Sequence, residues 1–171
     1  MLIVARKADI TVKIFRISLF GHREVDDLLF LHRRLESVVR EILAEKEYVA
    51  FFIGRNGEFD EYAASVIKGI QREIGTARCE INLVLPYSVA NLEYYEDYYT
   101  DVIIPEAVQG VHPKSAIKKR NEWMIEHSDL CIFFLEHPSG GAHIAFRHAK
   151  RMNKSTINLF EAKQSQDLFS T

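Results

Sequence analysis

The sequence has few of the residues that stabilise small folds through disulfide bonds or structural metal sites. Among its 171 residues are only two cysteines, Cys79 and Cys131, and one tryptophan. The cysteines lie far apart and show no zinc-ligand or disulfide spacing, so neither kind of scaffold is indicated. A chain of this length buries about 70% of its unfolded surface and needs no staple. We therefore expect one domain, residues 1–171, in a reducing cytoplasm.

Long apolar runs and a charge excess of one sign are also missing. The chain has 22 basic and 24 acidic residues, a net charge of −2, whereas a nucleic-acid-binding protein usually carries a clear basic excess. No apolar run approaches the ~20 residues that cross a bilayer. The start, MLIVARKADI, does not resemble a signal peptide, because Arg6 and Lys7 end its short apolar stretch. We expect no membrane or nucleic-acid partner; a homo-oligomer remains open.

Short apolar runs alternate with longer amphipathic segments. Apolar residues spaced by three or four predict helices at residues 26–47, 58–74, 114–128 and 142–152. Short apolar or β-branched runs, four of them closed by Gly or Pro, predict strands at residues 10–20, 49–53, 81–85, 101–104, 130–135 and 156–159. The tyrosine-rich segment 91–100 is a short helix or a loop. Residues 1–9 form either an arm or an edge strand, and 161–171 form a polar tail.

This alternation predicts an α/β fold, a doubly wound, Rossmann-like, three-layer αβα sandwich with a mostly parallel central sheet. The continuous apolar run 130–135 is typical of a central strand buried on both faces. Ligands of such sheets bind beyond the carboxyl ends of strands, where the strand order reverses. The loops that follow strands are therefore the places to look for functional residues.

The loop after the first strand contains Gly21, His22 and Arg23. Gly21 permits a sharp turn that leaves the next two side chains at the carboxyl edge of the sheet. The planar guanidinium of Arg23 suits a phosphate or carboxylate. The alternative is a surface arginine beside a histidine whose hydrogen bonds the turn satisfies.

The loop after the second strand has two glycines, Gly54 and Gly57, flanking Arg55 and Asn56. The amides of a glycine-rich turn at a helix N-terminus bind anions. Asp60 either lines this pocket or caps the helix and sits in its first turn. The loop matches neither a Walker phosphate loop nor a dinucleotide fingerprint.

The loop after the buried strand gives the strongest signal for a phosphate site. Ser139, Gly140 and Gly141 come between this strand and a helix that begins with Ala142 and His143. Small residues let a ligand approach the backbone, and the amides and dipole of the helix N-terminus attract an anion. The alternative is an ordinary turn that uses glycine for its positive φ.

Two further groups of residues are ambiguous. Arg120 and Asn121 lie within a predicted helix and face either the site or the solvent; the basic run 114–120 is most simply a solvated face. His137, His143 and His148 lack the spacing of a known metal motif. We predict no metal and no cofactor.

The order of these motifs resembles that of the SLOG superfamily of Rossmann-like domains, and within it the YpsA-like proteins of unknown function. The resemblance covers residues 20–159. Its matching positions are Gly21-His22-Arg23, Phe59-Asp60 with Ala63, Arg120-Asn121 with Met124, Ser128-Asp129-Leu130, and Gly140-Gly141-Ala142 with Ala149. It implies binding of a nucleotide or nucleotide-derived ligand at the strand ends.

Superfamily members differ in activity, and this chain departs from the motifs of the members that are enzymes. The phosphoribohydrolases that cleave N-glycosidic bonds resemble PGGxGTxxE, where this chain has Arg147 in place of the catalytic Glu. Deoxyribosyltransferases need a Glu where Ala145 stands. A carboxylate is needed because glycoside cleavage passes through an oxocarbenium-like state; Glu136 and Asp60 are the substitutes available. The alternatives to simple binding are therefore an N-glycosidase, a deoxyribosyltransferase-like enzyme, or a single-stranded DNA accessory protein like DprA.

The expected ligand is a small phosphorylated nucleotide or nucleotide-sugar derivative. Its phosphate would bind the amides of Gly140 and Gly141, with Arg23 or Arg55 as counter-charge. Hydrogen bonds to the ribose or base would come from His22, Asn56, Asp60 and Asn121.

Overall fold

The computed structural model describes residues 11–161, in which a six-stranded sheet lies between two layers of helices. The strands are β1 (Ile14–Gly21), β2 (Tyr48–Ile53), β3 (Cys79–Val84), β4 (Asp101–Ile103), β5 (Leu130–Phe134) and β6 (Ser155–Asn158). The helices are α1 (Leu28–Glu45), α2 (Glu58–Ile74), α3 (Leu92–Tyr98), α4 (Pro113–Glu126) and α5 (Gly140–Arg151). The predicted arm at 1–9, and residues 162–171 of the predicted tail, lie outside the described residues.

The strands are arranged in the order β4-β3-β2-β1-β5-β6, and every neighbouring pair is parallel. The predicted Rossmann-like α/β fold is thus confirmed, and the sheet of the described residues is wholly parallel. From β1 the chain runs outward to β4 and then returns to place β5 on the other side of β1. The strand order therefore reverses between β1 and β5, the position at which such sheets bind ligands.

Alternation of side chains along the central strands separates the two faces of the sheet. Ile132 and Phe134 of β5 belong to the core beneath α1 and α2, and Cys131 and Phe133 belong to the core beneath α4 and α5. All residues of β5 are buried, which confirms the central strand predicted from its continuous apolar run. Among residues 11–161, no helix has the length and apolar character needed to cross a membrane.

A buried group of polar atoms fastens α4 to β1. The hydroxyls of Ser18 and Ser128 lie 2.6 Å apart, and both lie within hydrogen-bond distance of the Met124 carbonyl, at 3.0 and 2.7 Å respectively. Such buried groups destabilise a fold unless they are hydrogen-bonded. The bonds therefore anchor the last turn of α4 and hold the face that carries Arg120, one turn earlier, against the sheet edge.

Several element boundaries differ from the predicted ones. Helix α5 begins at Gly140, two residues before the predicted start at 142, with Ser139 as its N-cap. Gly140 has a φ of +83°, a conformation that glycine adopts without strain. The tyrosine-rich segment contains the helix α3. The strand predicted from residue 10 begins at Ile14. The earlier start of α5 puts both glycines in its first turn, which matters for the site.

Two glycines form a matched pair for testing this packing. A Cβ at Gly21 would lie 2.1 Å from Cγ of Phe59, a ring that is fully buried. We expect Gly21→Ala to lower the free energy of unfolding by about 1–3 kcal/mol through overpacking. Gly69 lies within α2 with open space around it, so Gly69→Ala should raise it by roughly 0.5–1 kcal/mol. Urea denaturation followed by circular dichroism measures both; equal effects would contradict the packing.

Candidate functional site

A crevice of about 500 Å³ opens at the carboxyl edge of the sheet, where the strand order reverses. The loops after β1 and β2, the middle of α4 and the first turn of α5 form its walls. The predicted site residues that line it are Gly21, His22, Arg23, Gly54, Asn56, Asp60, Arg120, Asn121, Gly140, Gly141 and Ala142. Residues from loops more than 100 positions apart therefore meet here.

Four other candidates do not line the crevice. Arg55 donates to the Tyr95 hydroxyl, and its guanidinium lies 5.1 Å from the centre of the Tyr95 ring. The Ser139 hydroxyl is 2.8 Å from Nδ1 of His137. Both carboxylate oxygens of Glu136 accept from the backbone N–H of Asp26 at 3.1 Å. His143 lies beside the Phe146 ring, with the ring centres 6.3 Å apart.

The crevice also contains Gly57 of the predicted glycine-rich turn, together with residues that the patterns did not indicate as ligand contacts, notably Glu24, Ile117, Met124 and His137. Glu24 and His137 lie in the same predicted strand-end loops as Arg23 and Glu136, and their place in these loops is the signal that could have found them. Ile117 and Met124 lie three residues before and four residues after Arg120. Helical spacing therefore puts them on the same face as Arg120. They become recognisable as ligand contacts only once that face is known to point inward.

Arg120 is the most buried charged residue of the crevice, with 3% of its surface exposed. The hypothesis of a solvated face for the run 114–120 is therefore wrong at Arg120. Ala116 and Met124, one turn before and after it, are also buried, because this stripe of α4 faces the sheet. The Arg120 Nη1 donates to the Val84 carbonyl at 2.8 Å. Its Nε is buried and has no hydrogen-bond partner within residues 11–161.

Gly54 lets a positive and a negative group approach the same point of the crevice. A Cβ at this position would lie 2.4 Å from Nη1 of Arg120 and 2.7 Å from Oδ2 of Asp60. Asp60, in the first turn of α2, accepts from the backbone N–H of Asn56 at 2.9 Å. Burial raises the pKa of Asp60, while Arg120 and the Asn56 N–H pull that pKa down. Burial lowers the pKa of Arg120, against the attraction of Asp60.

The loops after β1 and β2 form one continuous wall. The Glu58 N–H donates to the Arg23 carbonyl at 2.8 Å, and the Glu58 carboxylate accepts from the Val25 N–H at 2.8 Å. Gly57 makes this contact possible, because a Cβ there would lie 2.5 Å from Cα of Arg23. The exposed side chain of Arg23 is thereby held at the rim of the crevice.

Two stacked histidines close the side of the crevice between β1 and β5. The rings of His22 and His137 are nearly parallel, with centres 3.7 Å apart. His22 is buried, and both its burial and the neighbouring His137 lower the pKa of His22 below its ordinary value of 6.5. Across the part of the chain that is described, no three His, Cys, Asp or Glu residues are grouped to hold a metal ion. His137, His143 and His148 are therefore not brought together as three ligands of one metal ion.

The N-terminus of α5 opens onto the crevice. Gly140, Gly141 and Ala142 line it, the Ser139 side chain makes no capping hydrogen bond, and the first turn contains no acidic residue. The first amides of a helix have no partner within that helix, and its dipole favours an anion at this end. A phosphate or carboxylate group is the chemistry that this end of the crevice suits.

Part of the chain is similar to a known dehydrogenase. No protein-family profile matches the chain. A curated protein with similarity is a glycerol-3-phosphate dehydrogenase of Oceanobacillus iheyensis, whose name specifies NAD(P)+. The two are 36% identical over 85 residues, which is 48% of this chain and 24% of the dehydrogenase. The chain thus spans about a quarter of the length of the curated relative that it matches.

The histidine stack predicts acid-sensitive stability. In the unfolded chain, His22 gains a proton as the pH falls through 6.5. In the folded protein His22 is protonated only at a lower pH, because folding lowers the pKa of its imidazole. The stabilisation contributed by neutral His22 is therefore present above pH 6.5 and is lost as the pH falls. We expect the stability advantage of wild type over His22→Gln, measured by urea denaturation, to shrink between about pH 8 and about pH 5.5.

His137→Gln serves as the control for this experiment. It removes the neighbour that lowers the pKa of His22 and should make the protein less sensitive to acid than wild type. An advantage over His22→Gln that stays constant, or grows, toward acidic pH would contradict the assignment.

Proposed function

We propose that the chain is a SLOG-type domain that binds a nucleotide or a nucleotide-derived phosphorylated ligand in the crevice. A Rossmann-like parallel sheet is compatible with nucleotide binding, and the crevice lies at the reversal of its strand order. The observation that carries the proposal is the juxtaposition of the uncapped α5 N-terminus with the buried guanidinium of Arg120, whose Nε has no partner among the described residues.

The glycines of α5 would form the phosphate-binding part of the site. Neither Gly140 nor Gly141 has an atom of another segment near the place where a Cβ would stand. A phosphate can therefore approach the backbone amides closely, in the manner of other phosphate-binding helix N-termini. Arg23 at the rim is the available counter-charge, because Arg55 is engaged with Tyr95.

Two unused donors favour a ligand rich in hydrogen-bond acceptors. Nε of Arg120 and Nδ2 of Asn56 are buried without a partner within the described range, and both residues line the crevice. A buried donor left unsatisfied costs about 1–3 kcal/mol. Phosphate oxygens and base nitrogens or carbonyls would accept from these donors. The carboxylate of Asp60 would in turn accept from ribose hydroxyls.

The partial similarity to a dehydrogenase supports nucleotide binding in general and does not bear on the SLOG assignment. The name of that enzyme specifies a nicotinamide dinucleotide, which is consistent with a nucleotide-type ligand. This chain has no GxGxxG fingerprint after β1, so the binding mode proposed here depends on α5 and α4 rather than on that motif.

Thermal melting with a panel of nucleoside mono- and diphosphates tests the proposal. A ligand at 100 times its Kd should stabilise the folded protein by about 2.7 kcal/mol, and the melting temperature should rise accordingly. If no nucleotide raises the melting temperature of the folded protein, the proposal is wrong.

A pair of glycine variants locates the binding. Gly141→Asp introduces a carboxylate where the phosphate would bind, at a position with open space and no positive φ. We expect a loss of nucleotide affinity of about 100-fold, while the folded state stays intact because Asp is favourable in a first helical turn. Gly69→Asp, also in open space but on α2, should bind as wild type does. Equal affinities for the two variants would place the phosphate elsewhere.

An N-glycosidase acting on nucleoside monophosphates is the second candidate, favoured by one observation. Asp60 lines the crevice, and burial raises its pKa, which are properties of a general acid. The residues at the positions of the superfamily's catalytic Glu offer no carboxylate, and Glu136 binds the Asp26 N–H instead.

This candidate predicts release of free base from a nucleoside monophosphate. Asp60→Asn should slow the release by about 10²–10⁴-fold, the contribution of general acid catalysis. Glu136→Gln, which retains a carbonyl acceptor for the Asp26 N–H, should remain active. Liquid chromatography of the reaction products measures both rates. If the wild-type protein binds the nucleotide and releases no base, the chain is a binding domain and this candidate is excluded.

A further inference from the structure

A second cavity, of about 330 Å³, lies between α4 and α5 on the outer side of the helical layer. We call it the α4–α5 groove. Its floor is apolar and consists of Ile117 and Ile125 from α4 and Ile144 and Ala145 from α5. Ile144 is 45% exposed, so this part of the floor is open to a ligand.

The groove adjoins the crevice. Ile117 and Asn121 of α4 and Gly141 of α5 line both cavities, so the boundary between them is formed by α4 and the first turn of α5. A ligand whose phosphate lies on the Gly141 amide therefore has open space on two sides. One side is the crevice and the other is the groove.

The groove has the chemistry of a site for a polar ring attached to a phosphate. Lys114, Lys118 and Arg151 bring positive charge to it. Its single acid, Glu122, already lies 3.8 Å from the Lys118 ammonium and 3.4 Å from that of Lys119. His148 also lines the groove, and its buried Nε2 has no hydrogen-bond partner within residues 11–161, so a ligand hydroxyl or ring atom that reaches it would satisfy it.

We propose that the α4–α5 groove binds the far half of a diphosphate-linked nucleotide conjugate. The near nucleoside occupies the crevice, the diphosphate spans the first turn of α5, and a second sugar or nucleoside lies over Ile117 and Ile144 beside His148. This inference rests on the proposed function. It narrows the ligand to conjugates in which a nucleoside diphosphate carries a second ring.

The experiment compares ligands that differ only by the far half. Calorimetry is carried out on the full chain with AMP, ADP, ADP-glucose and NAD+, with UMP, UDP and UDP-glucose, and with GMP, GDP and GDP-mannose. We expect the conjugate of the preferred base to bind about tenfold or more tightly than its diphosphate. The sugar conjugates and NAD+ distinguish a second sugar from a second nucleoside.

Variants on the exposed surface of α5 test whether this gain in conjugate affinity comes from the groove. Ile144→Glu introduces a carboxylate into the groove and should reduce conjugate affinity to that of the diphosphate, while mononucleotide affinity stays unchanged. Met152→Glu is the matched control, because Met152 is 39% exposed and lies at the end of the same helix outside the groove. The double change Lys114→Ala with Lys118→Ala, at two exposed positions, should weaken conjugates selectively without adding a negative charge.

The outcomes separate this inference from the function on which it rests. If mononucleotides bind but the conjugate binds no more tightly than the diphosphate, the groove proposal is wrong and the crevice proposal stands. The same follows if Ile144→Glu weakens mononucleotides and conjugates equally. If no nucleotide binds at all, both are wrong. A dimer in solution that Ile144→Glu dissociates would assign the groove to a second copy of the chain and overturn its role as a ligand site.

Discussion

The pairing of β1 with β5 is the constraint on which the candidate site depends. The two strands are joined in parallel from Ile17–Leu130 to Gly21–Phe134, although more than 100 residues separate them. Because the chain leaves β1 for α1 on one face of the sheet and leaves β5 for α5 on the other, the loops that follow the two strands diverge. The resulting gap at the carboxyl edge needs no special residues to form it. The chemistry of the crevice then depends on which side chains the neighbouring helices bring to it.

Helix α4 brings the side chain of Arg120 to the crevice, and small residues make the position of this side chain possible. The hydrogen bonds of Ser18 and Ser128 to the Met124 carbonyl fasten the helix to β1, and Arg120 lies one turn before Met124. Gly54 then leaves room for both Arg120 and Asp60. A buried guanidinium is stable only with compensating partners, and the Val84 carbonyl and the Asp60 carboxylate provide part of that compensation. The Nε of Arg120 has no partner within residues 11–161, and the proposed ligand site depends on this unused donor.

The architecture was largely predictable from local patterns, and the orientation of individual side chains was not. Strand and helix periods, the apolar run of β5 and the glycine loops predicted the sandwich and the edge that carries the crevice. Arg55 and Arg120 illustrate what remained hidden. Arg55 stands in a glycine-rich strand-end loop, yet Tyr95, 40 residues further along, holds it outside the crevice. Arg120 stands in a basic run typical of a solvated face, yet the seating of α4 buries it.

By itself the sequence determined the alternation of strands and helices, the burial of β5 and the glycine turns at the carboxyl edge, because backbone geometry and hydrophobic period are local properties. The tertiary structure alone decided that Arg120 rather than Arg55 enters the crevice, that His22 stacks on His137, and that a second groove adjoins the crevice between α4 and α5. These features depend on contacts between segments distant in the chain. Such contacts arise from how whole elements pack, which the pattern of any one element does not specify.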